Sequence, residues 1–197
     1  MLMQFGSALR LWFGFTLLLG LVYPLAMTGV AQWIFPTQAN GSLLYQGDRV
    51  VGSRLIGQNF DAPGYFWSRP SAVEYKGDAS GGSNLGPLNP ELKKQVAARI
   101  ARLQQGSEHS KGEAIPVDLV TTSGSGLDPH MSPAALYYQV ARVAKARGLP
   151  EAQIDSLVTQ QIERPPPGVL GEPLVNVLLL NLVLDELQPS VVSQARK

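Results

Sequence analysis

The chain has 197 residues, 16 Lys+Arg against 15 Asp+Glu, and no cysteine. A balance this close to neutral, with no basic stripe, leaves nucleic-acid binding without an electrostatic basis. The lack of cysteine excludes disulfide staples, thiol catalysis and cysteinyl metal sites.

The first element is an apolar run, Leu11–Phe35. No Asp, Glu, Lys or Arg occurs between Arg10 and Asp48. About 20 apolar residues at 1.5 Å per residue cross a bilayer core, so this run is long enough to span it with some tilt. Trp12 and Trp33 stand near its ends, where indole rings favour the headgroup layer, and membrane helices tolerate residues such as Gly14, Gly20, Gly29 and Pro24. A cleavable secretory signal is the rival reading, since Gly29-Val30-Ala31 has the small-x-small form of a cleavage site. Signal cores run about 7–15 residues, however, and this run is longer. Arg10 and the α-amine are the only positive groups before the run, so residues 1–10 are expected to stay cytoplasmic, with 11–35 as the span and 36–197 exported. The lack of cysteine in an exported domain points to a bacterial envelope. The expected architecture is one N-terminal transmembrane helix followed by one extracytoplasmic α+β domain.

Pro36 is expected to end the span. Leu43–Gln46, Gly47-Asp48 and Arg49–Val51 read as a hairpin, because glycine readily takes the positive φ of a primed turn. Residues 52–90 are rich in Gly and Pro and predict an irregular loop region. Asn89 as cap and Pro90 at the first helical position then start a helix that carries Leu92, Val96, Ile100 and Leu103 on one face. Pro116–Val120 reads as a short strand. A second helix runs from Ser132-Pro133 to Gly148, with Leu136, Val140 and Val143 inward and Gln139, Arg142 and Lys145 outward. A third, from Pro150, buries Ile154, Leu157, Val158 and Ile162 and stops before Pro165-Pro166-Pro167. The last, Leu174–Leu187, is too short for a second span: Glu172 and Asp185 bracket it, and Asn176 and Asn181 interrupt it. It reads as a buried core helix.

The sequence has no Gly-x-Ser-x-Gly elbow, no His-Glu-x-x-His and no phosphate-binding lysine loop. His109 sits in a polar turn, and no third ligand accompanies Asp128 and His130, so no metal site and no catalytic residue is expected. Asp128 and His130 form either an acid–base pair or a turn into the capped helix. Two Gly/Ser loops, Ser80-Gly81-Gly82-Ser83 and Ser123-Gly124-Ser125-Gly126, have the composition to turn backbone N–H groups and hydroxyls on an anion such as ATP, though neither has Lys or Arg at phosphate-loop spacing. Tyr65, Trp67 and Arg69 have the composition of a partner interface, and Gly14 and Gly20 would let a partner helix approach the span.

The ordered blocks Gln32-Trp33-Ile34-Phe35-Pro36, Gly52-Ser53-x-Leu55-Ile56-Gly57-Gln58-x-Phe60, Arg69-Pro70-Ser71-Ala72, Ser80-Gly81-Gly82-Ser83-Asn84-Leu85, Asn89-Pro90-Glu91-Leu92 and Ser125-Gly126-Leu127-Asp128 resemble the C-subunit family of the Kdp potassium-transporting P-type ATPases. The resemblance runs from about residue 20 to residue 187. It implies a non-catalytic accessory subunit in a bacterial inner (plasma) membrane complex. The implied partners are a channel-like potassium-binding subunit, a P-type ATP-hydrolysing pump subunit, a small peptide subunit and membrane lipid. No cofactor would be firmly bound: ATP acts through the pump subunit, and K+ is the transported ion. It further implies a chaperone-like increase in the pump's ATP affinity, with the Gly/Ser loops as a suggested nucleotide contact. The alternatives are a nucleotide-binding regulatory subunit and an anchored envelope hydrolase using Asp128 and His130. This chain has no Asp-Lys-Thr-Gly loop, so a phosphoenzyme would form on another chain.

Overall fold

The computed structural model describes residues 2–105, 114–166 and 171–187. His109 and Pro167 lie outside the described residues. The chain divides into two compact units, Met1–Ser53 and Arg54–Lys197.

In the first unit, α1 (Leu2–Leu17), a π turn (Leu18–Val22) and α2 (Tyr23–Ile34) form one uninterrupted helix. The π turn has a local cause. Pro24 has no N–H, and its ring would strike the carbonyl four residues back, so the helix widens there. The N–H of Tyr23 accordingly donates five residues back, to the carbonyl of Leu18. Gln4–Ile34 is long and apolar enough to cross a membrane, with none of its apolar stretch buried inside the protein. At 31 residues it is about 46 Å long, more than a 30 Å hydrocarbon core requires. The helix begins at Leu2, so Arg10 lies inside it rather than before it.

Phe35 leaves helical geometry (φ −129°, ψ 59°), and Pro36 opens the short helix α3 (Pro36–Ala39). Pro36 therefore both ends one helix and starts another, since its fixed φ suits the first helical position. The expected hairpin follows as β1 (Leu43–Gln46) and β2 (Arg49–Ser53), antiparallel, with Gly47 at φ +61° in the turn and a bulge that falls between Leu44 and Tyr45 in the register.

The second unit is helix-rich, with only a few short strands. Residues 54–89 hold turns and no helix or strand, as the Gly/Pro content suggested. Next comes α4 (Pro90–Gln105), capped by Asn89 Oδ1, which accepts the Glu91 N–H at 2.9 Å. Val117–Leu119 is a 3-10 turn, not the expected strand. A strand needs a neighbour to pair with, whereas here the amides of Val120 and Thr121 turn back to the Val117 carbonyl.

β3 (His130–Met131) pairs antiparallel with β4 (Val175–Asn176). The second expected helix is two: α5 (Pro133–Tyr137), capped by Ser132, and α6 (Val140–Arg147), closed by Gly148 at φ +66°. The break falls at Tyr138-Gln139, where the Gln139 side chain turns inward. α7 (Glu151–Gln160) ends before the prolines. The final segment begins as β4, and α8 (Val177–Leu187) starts only where Asn176 Oδ1 accepts the Leu179 N–H at 3.2 Å. Phe66, Met131, Leu136, Val143, Ile154, Val158, Val175, Leu180 and Leu184 are sealed in one core.

Candidate functional site

Residues 63–67 lie against the core, with Phe66 inserted into it, and have no strand partner, so their backbone groups need other hydrogen-bond partners. Helix side chains supply them. Asn181 Oδ1 accepts the Phe66 N–H and its Nδ2 donates to the Phe66 carbonyl, both at 2.9 Å. Gln139 does the same for Trp67, at 2.8 and 3.3 Å. Arg142 donates to the carbonyls of Pro63 (2.5 Å) and Tyr65 (3.0 Å) and to Gln139 Oε1 (2.6 Å). Arg147 Nε donates to Gly64 O at 2.7 Å. Two primary amides and two guanidiniums thus do the work of a neighbouring strand. This corrects the outward assignment of Gln139 and Arg142, which are 1% and 5% exposed; only Lys145 of that trio faces solvent.

The three residues read as an interface cluster all make contacts within the domain. Trp67 is held between the guanidiniums of Arg142 (3.9 Å from the ring centroid) and Arg102 (4.2 Å), and its Nε1 donates to Ala62 O. Tyr65 donates to Asp185 Oδ2 at 2.8 Å and lies under Arg147, whose Nη2 meets Asp185 Oδ1 at 2.7 Å. Arg69 Nη1 meets Asp128 Oδ2 at 3.3 Å. Burial, with the like charge of Arg102 beside it, pushes the Arg142 guanidinium down to about 9, still charged at neutral pH.

Beside the Trp67 stack lies a cavity of about 250 Å³ whose walls include Tyr75, Arg99 and Arg102. Both guanidiniums are already committed to protein oxygens, Arg99 to Val120 O (2.8 Å) and Arg102 to Asp61 Oδ1 (2.7 Å). Burial pushes Arg99 down and the Tyr75 phenol up to about 12. Tyr75 and Glu74 both hold left-handed backbone (φ +57° and +54°), a costly pair for non-glycine residues. Ser71 Oγ holds that turn, accepting the amides of Val73 and Tyr75 at 3.1 and 3.0 Å while donating to Gly126 O at 2.7 Å.

The two Gly/Ser loops meet through that link, but they face each other. Gly81 N–H donates to Ser125 O (2.8 Å), and Ser80 Oγ donates to the same carbonyl (3.2 Å). Thr122 Oγ1 donates to Ser83 Oγ at 3.1 Å. Ser123 N–H donates to Pro70 O, Gly126 N–H to Ser123 Oγ and Leu127 N–H to Ser125 Oγ. The glycines permit this close approach. A Cβ on Gly82 would come 3.1 Å from Gly124 O, and one on Gly126 (φ +68°) would come 2.7 Å from Gly81 O.

Asp128 serves the turn. Its Oδ1 accepts the His130 N–H at 3.0 Å, the His130 ring nitrogen stands 3.7 Å away, and Gly57 packs so closely that a Cβ there would come 2.5 Å from Asp128 O. No group of three His, Asp or Glu able to hold a metal occurs among the described residues. In the first unit, Gly14 and Gly20 have open space where a Cβ would stand.

Sequence reasoning turned Gln139 and Arg142 toward solvent, used Asp185 only to bound the last helix, and gave Arg147 no role. The one available signal was Asn181, a polar side chain inside a helix too apolar to leave it in water.

Comparison with known proteins gives a consistent answer. The family model described as K+-transporting ATPase, c chain, matches residues 5–186. The chain is 57% identical over 185 residues to the potassium-transporting ATPase KdpC subunit of Polaromonas naphthalenivorans, covering 92% of this chain and 94% of that protein. It is 55% identical to the KdpC subunit of Serratia proteamaculans, covering 88% and 93%, and 54% identical to that of Sorangium cellulosum, covering 94% and 98%.

Proposed function

The chain belongs to the family of K+-transporting ATPase c chains, and we propose that it holds together an ATP-driven potassium importer in the bacterial inner membrane. Within that assembly it is an accessory subunit, not catalytic alone. One observation carries the reading: the family match runs through both compact units, the apolar helix as well as the helix-rich domain.

In this reading residues 1–10 remain cytoplasmic, 11–35 cross the membrane and 36–197 lie outside the cytoplasm. The absence of any charged residue between Arg10 and Asp48 supports the span, and Arg10 on its N-terminal side supports the cytoplasmic placement of that end. The helix packs beside a channel-like potassium-binding subunit, and the open surfaces at Gly14 and Gly20 favour close helix approach. A P-type pump subunit hydrolyses ATP, a small peptide subunit completes the complex, and K+ is its cargo. The chain raises the pump's ATP affinity by fixing the assembly rather than by touching nucleotide. That preference is supported by the commitment of the Gly81, Ser123 and Gly126 amides to protein oxygens. The exposed part of the Trp67–Arg102 stack is then the domain's partner-facing feature.

The test is co-purification of the complex from gently solubilised membranes, with the full chain and with residues 1–35 deleted. The full chain should recover a pump and a channel-like subunit with potassium-stimulated ATPase activity, and the deletion should lose both. Full activity in a complex purified without this chain would overturn the proposal.

A further inference from the structure

The β1–β2 hairpin exposes an apolar face. Tyr45 pairs directly with Val50, and Leu43 lies two residues before Tyr45 on the same side of β1. Their exposures are 63%, 47% and 38%. The charged residues Asp48 and Arg49 lie at the turn and opposite Gln46, away from that face. A two-stranded hairpin with an uncovered apolar side is marginal in water and calls for something to pack against.

The hairpin is fastened at the level of the helix end. Gln32 and Asn40 exchange side-chain hydrogen bonds, Nε2 to Oδ1 at 3.3 Å and Nδ2 to Oε1 at 3.1 Å. Asn40 also donates to Pro36 O at 2.7 Å, and Ser53 Oγ donates to Gly41 O at 2.7 Å. The chain therefore folds back after α3, so that residue 40 stands beside residue 32. Leu43 follows only three residues later. Trp33, 83% exposed, occupies the same level. The headgroup layer extends about 5–7 Å beyond the hydrocarbon on each side, so a hairpin starting at this height begins inside it.

We propose that the hairpin is a membrane-surface foot, with its Leu43–Tyr45–Val50 face seated at the headgroup–acyl boundary of the leaflet from which α2 emerges. The inference rests on the reading of Gln4–Ile34 as a membrane span. A tyrosine with its ring toward acyl chains and its hydroxyl toward water suits that depth, as an indole does. A foot of this kind fixes the rotation of the helix about its own axis, and with it the face presented to a neighbouring subunit.

The chain has no cysteine, so single cysteines can carry nitroxide labels without background. Leu21→Cys, Val50→Cys and Gln46→Cys would each be labelled in the full chain, reconstituted alone into phosphatidylcholine–phosphatidylglycerol vesicles. Collision rates would be read with oxygen, which partitions into lipid, and with a water-soluble nickel chelate. The Leu21 label should read deep, the Val50 label shallow but within lipid, and the Gln46 label should collide with nickel severalfold more often than the Val50 label. Equal nickel access at 50 and 46 would overturn the foot while a deep Leu21 label left the span standing. Shielding of the Val50 label from both reagents would also overturn it, because protein and not lipid would then cover the face. A water-accessible Leu21 label would overturn the span, and the foot with it.

Discussion

Asp185 and Arg147 give a quantitative test of how the domain holds its irregular segment. The Arg147 side chain is 3% exposed and that of Asp185 15%, and they meet at 2.7 Å. Asp185→Asn keeps an oxygen for the Tyr65 hydroxyl but leaves a buried guanidinium without its counter-charge, which costs about 3–5 kcal/mol. Arg147→Met leaves the carboxylate buried and also strips Gly64 O of its donor, so its cost is of the same order. In the double variant both charges are gone. What remains is the unpartnered Gly64 carbonyl, worth about 1–3 kcal/mol. The two single losses should therefore overlap by roughly 2 kcal/mol or more instead of adding. Thermal unfolding of the full chain in detergent, followed by near-ultraviolet circular dichroism, should show each single variant melting roughly 10 °C lower. The double variant should melt at or above the weaker single. Single variants within about 0.5 kcal/mol of the parent, or a strictly additive double, would refute the argument that the pair is a buried, mutually dependent clamp.

Gly126→Ala would place a Cβ 2.5 Å from Val73 Cγ2 and 2.7 Å from Gly81 O at a φ of +68°, whereas Gly124 has open space. The first should cost on the order of 3 kcal/mol and the second under about 1 kcal/mol, read as melting temperatures. Ser80→Ala removes a loop hydroxyl without touching the amides, and Ser125→Ala also frees the Leu127 N–H. In the purified complex they should leave the KM for ATP within about two-fold, while a rise of tenfold, about 1.4 kcal/mol, would instead favour direct nucleotide contact. Tyr75 supplies a pH test. Its phenol is raised from 10.0 to about 12, first by burial, with Asp61 and Asp128 adding to the rise and the Ser68 hydrogen bond and Arg99 opposing it. A raised folded-state value stabilises below pH 10, and that contribution is lost as pH climbs from 10 towards 12. Tyr75→Phe should therefore flatten the alkaline decline in melting temperature, and parallel curves would remove the assignment.

Local signals were legible where local energetics decide. Asn89-Pro90, Ser132-Pro133 and Gly148 mark helix ends because a cap, a fixed φ or a left-handed residue acts within one turn, and the structure has all three. Val117–Leu119 was misread because a short apolar run has no periodicity to separate strand from turn, and only the absence of a pairing neighbour decides. Gln139 and Arg142 were misread for a related reason. A helical wheel assigns polar residues to water, but here the nearest unsatisfied groups were the carbonyls of Pro63 and Tyr65 and the amide of Trp67. Composition marked the two Gly/Ser segments as loops, yet it could not reveal that Gly81 N–H, Ser80 Oγ and Thr122 Oγ1 bridge them across a contact about 40 residues apart in sequence.

That pattern bears on how the domain can influence a partner. A loop that binds a ligand must keep some donors uncommitted until the ligand arrives; the described amides at Gly81, Ser123, Gly126 and Leu127 have protein acceptors already, which leaves only those of Ser80, Gly82, Ser83, Gly124 and Ser125 for one. The segment at 63–67 is pinned to α6 through Gln139, Arg142 and Arg147 and to α8 through Asn181, so it cannot shift without carrying those helices along. Such a body transmits position better than it reports occupancy. A load on the irregular segment passes through short, partly charge-assisted bonds into two helices whose inner faces line the core together with those of α5 and α7. In the function proposed above, this pinning is what a subunit that orders its partner by rigid contact would need.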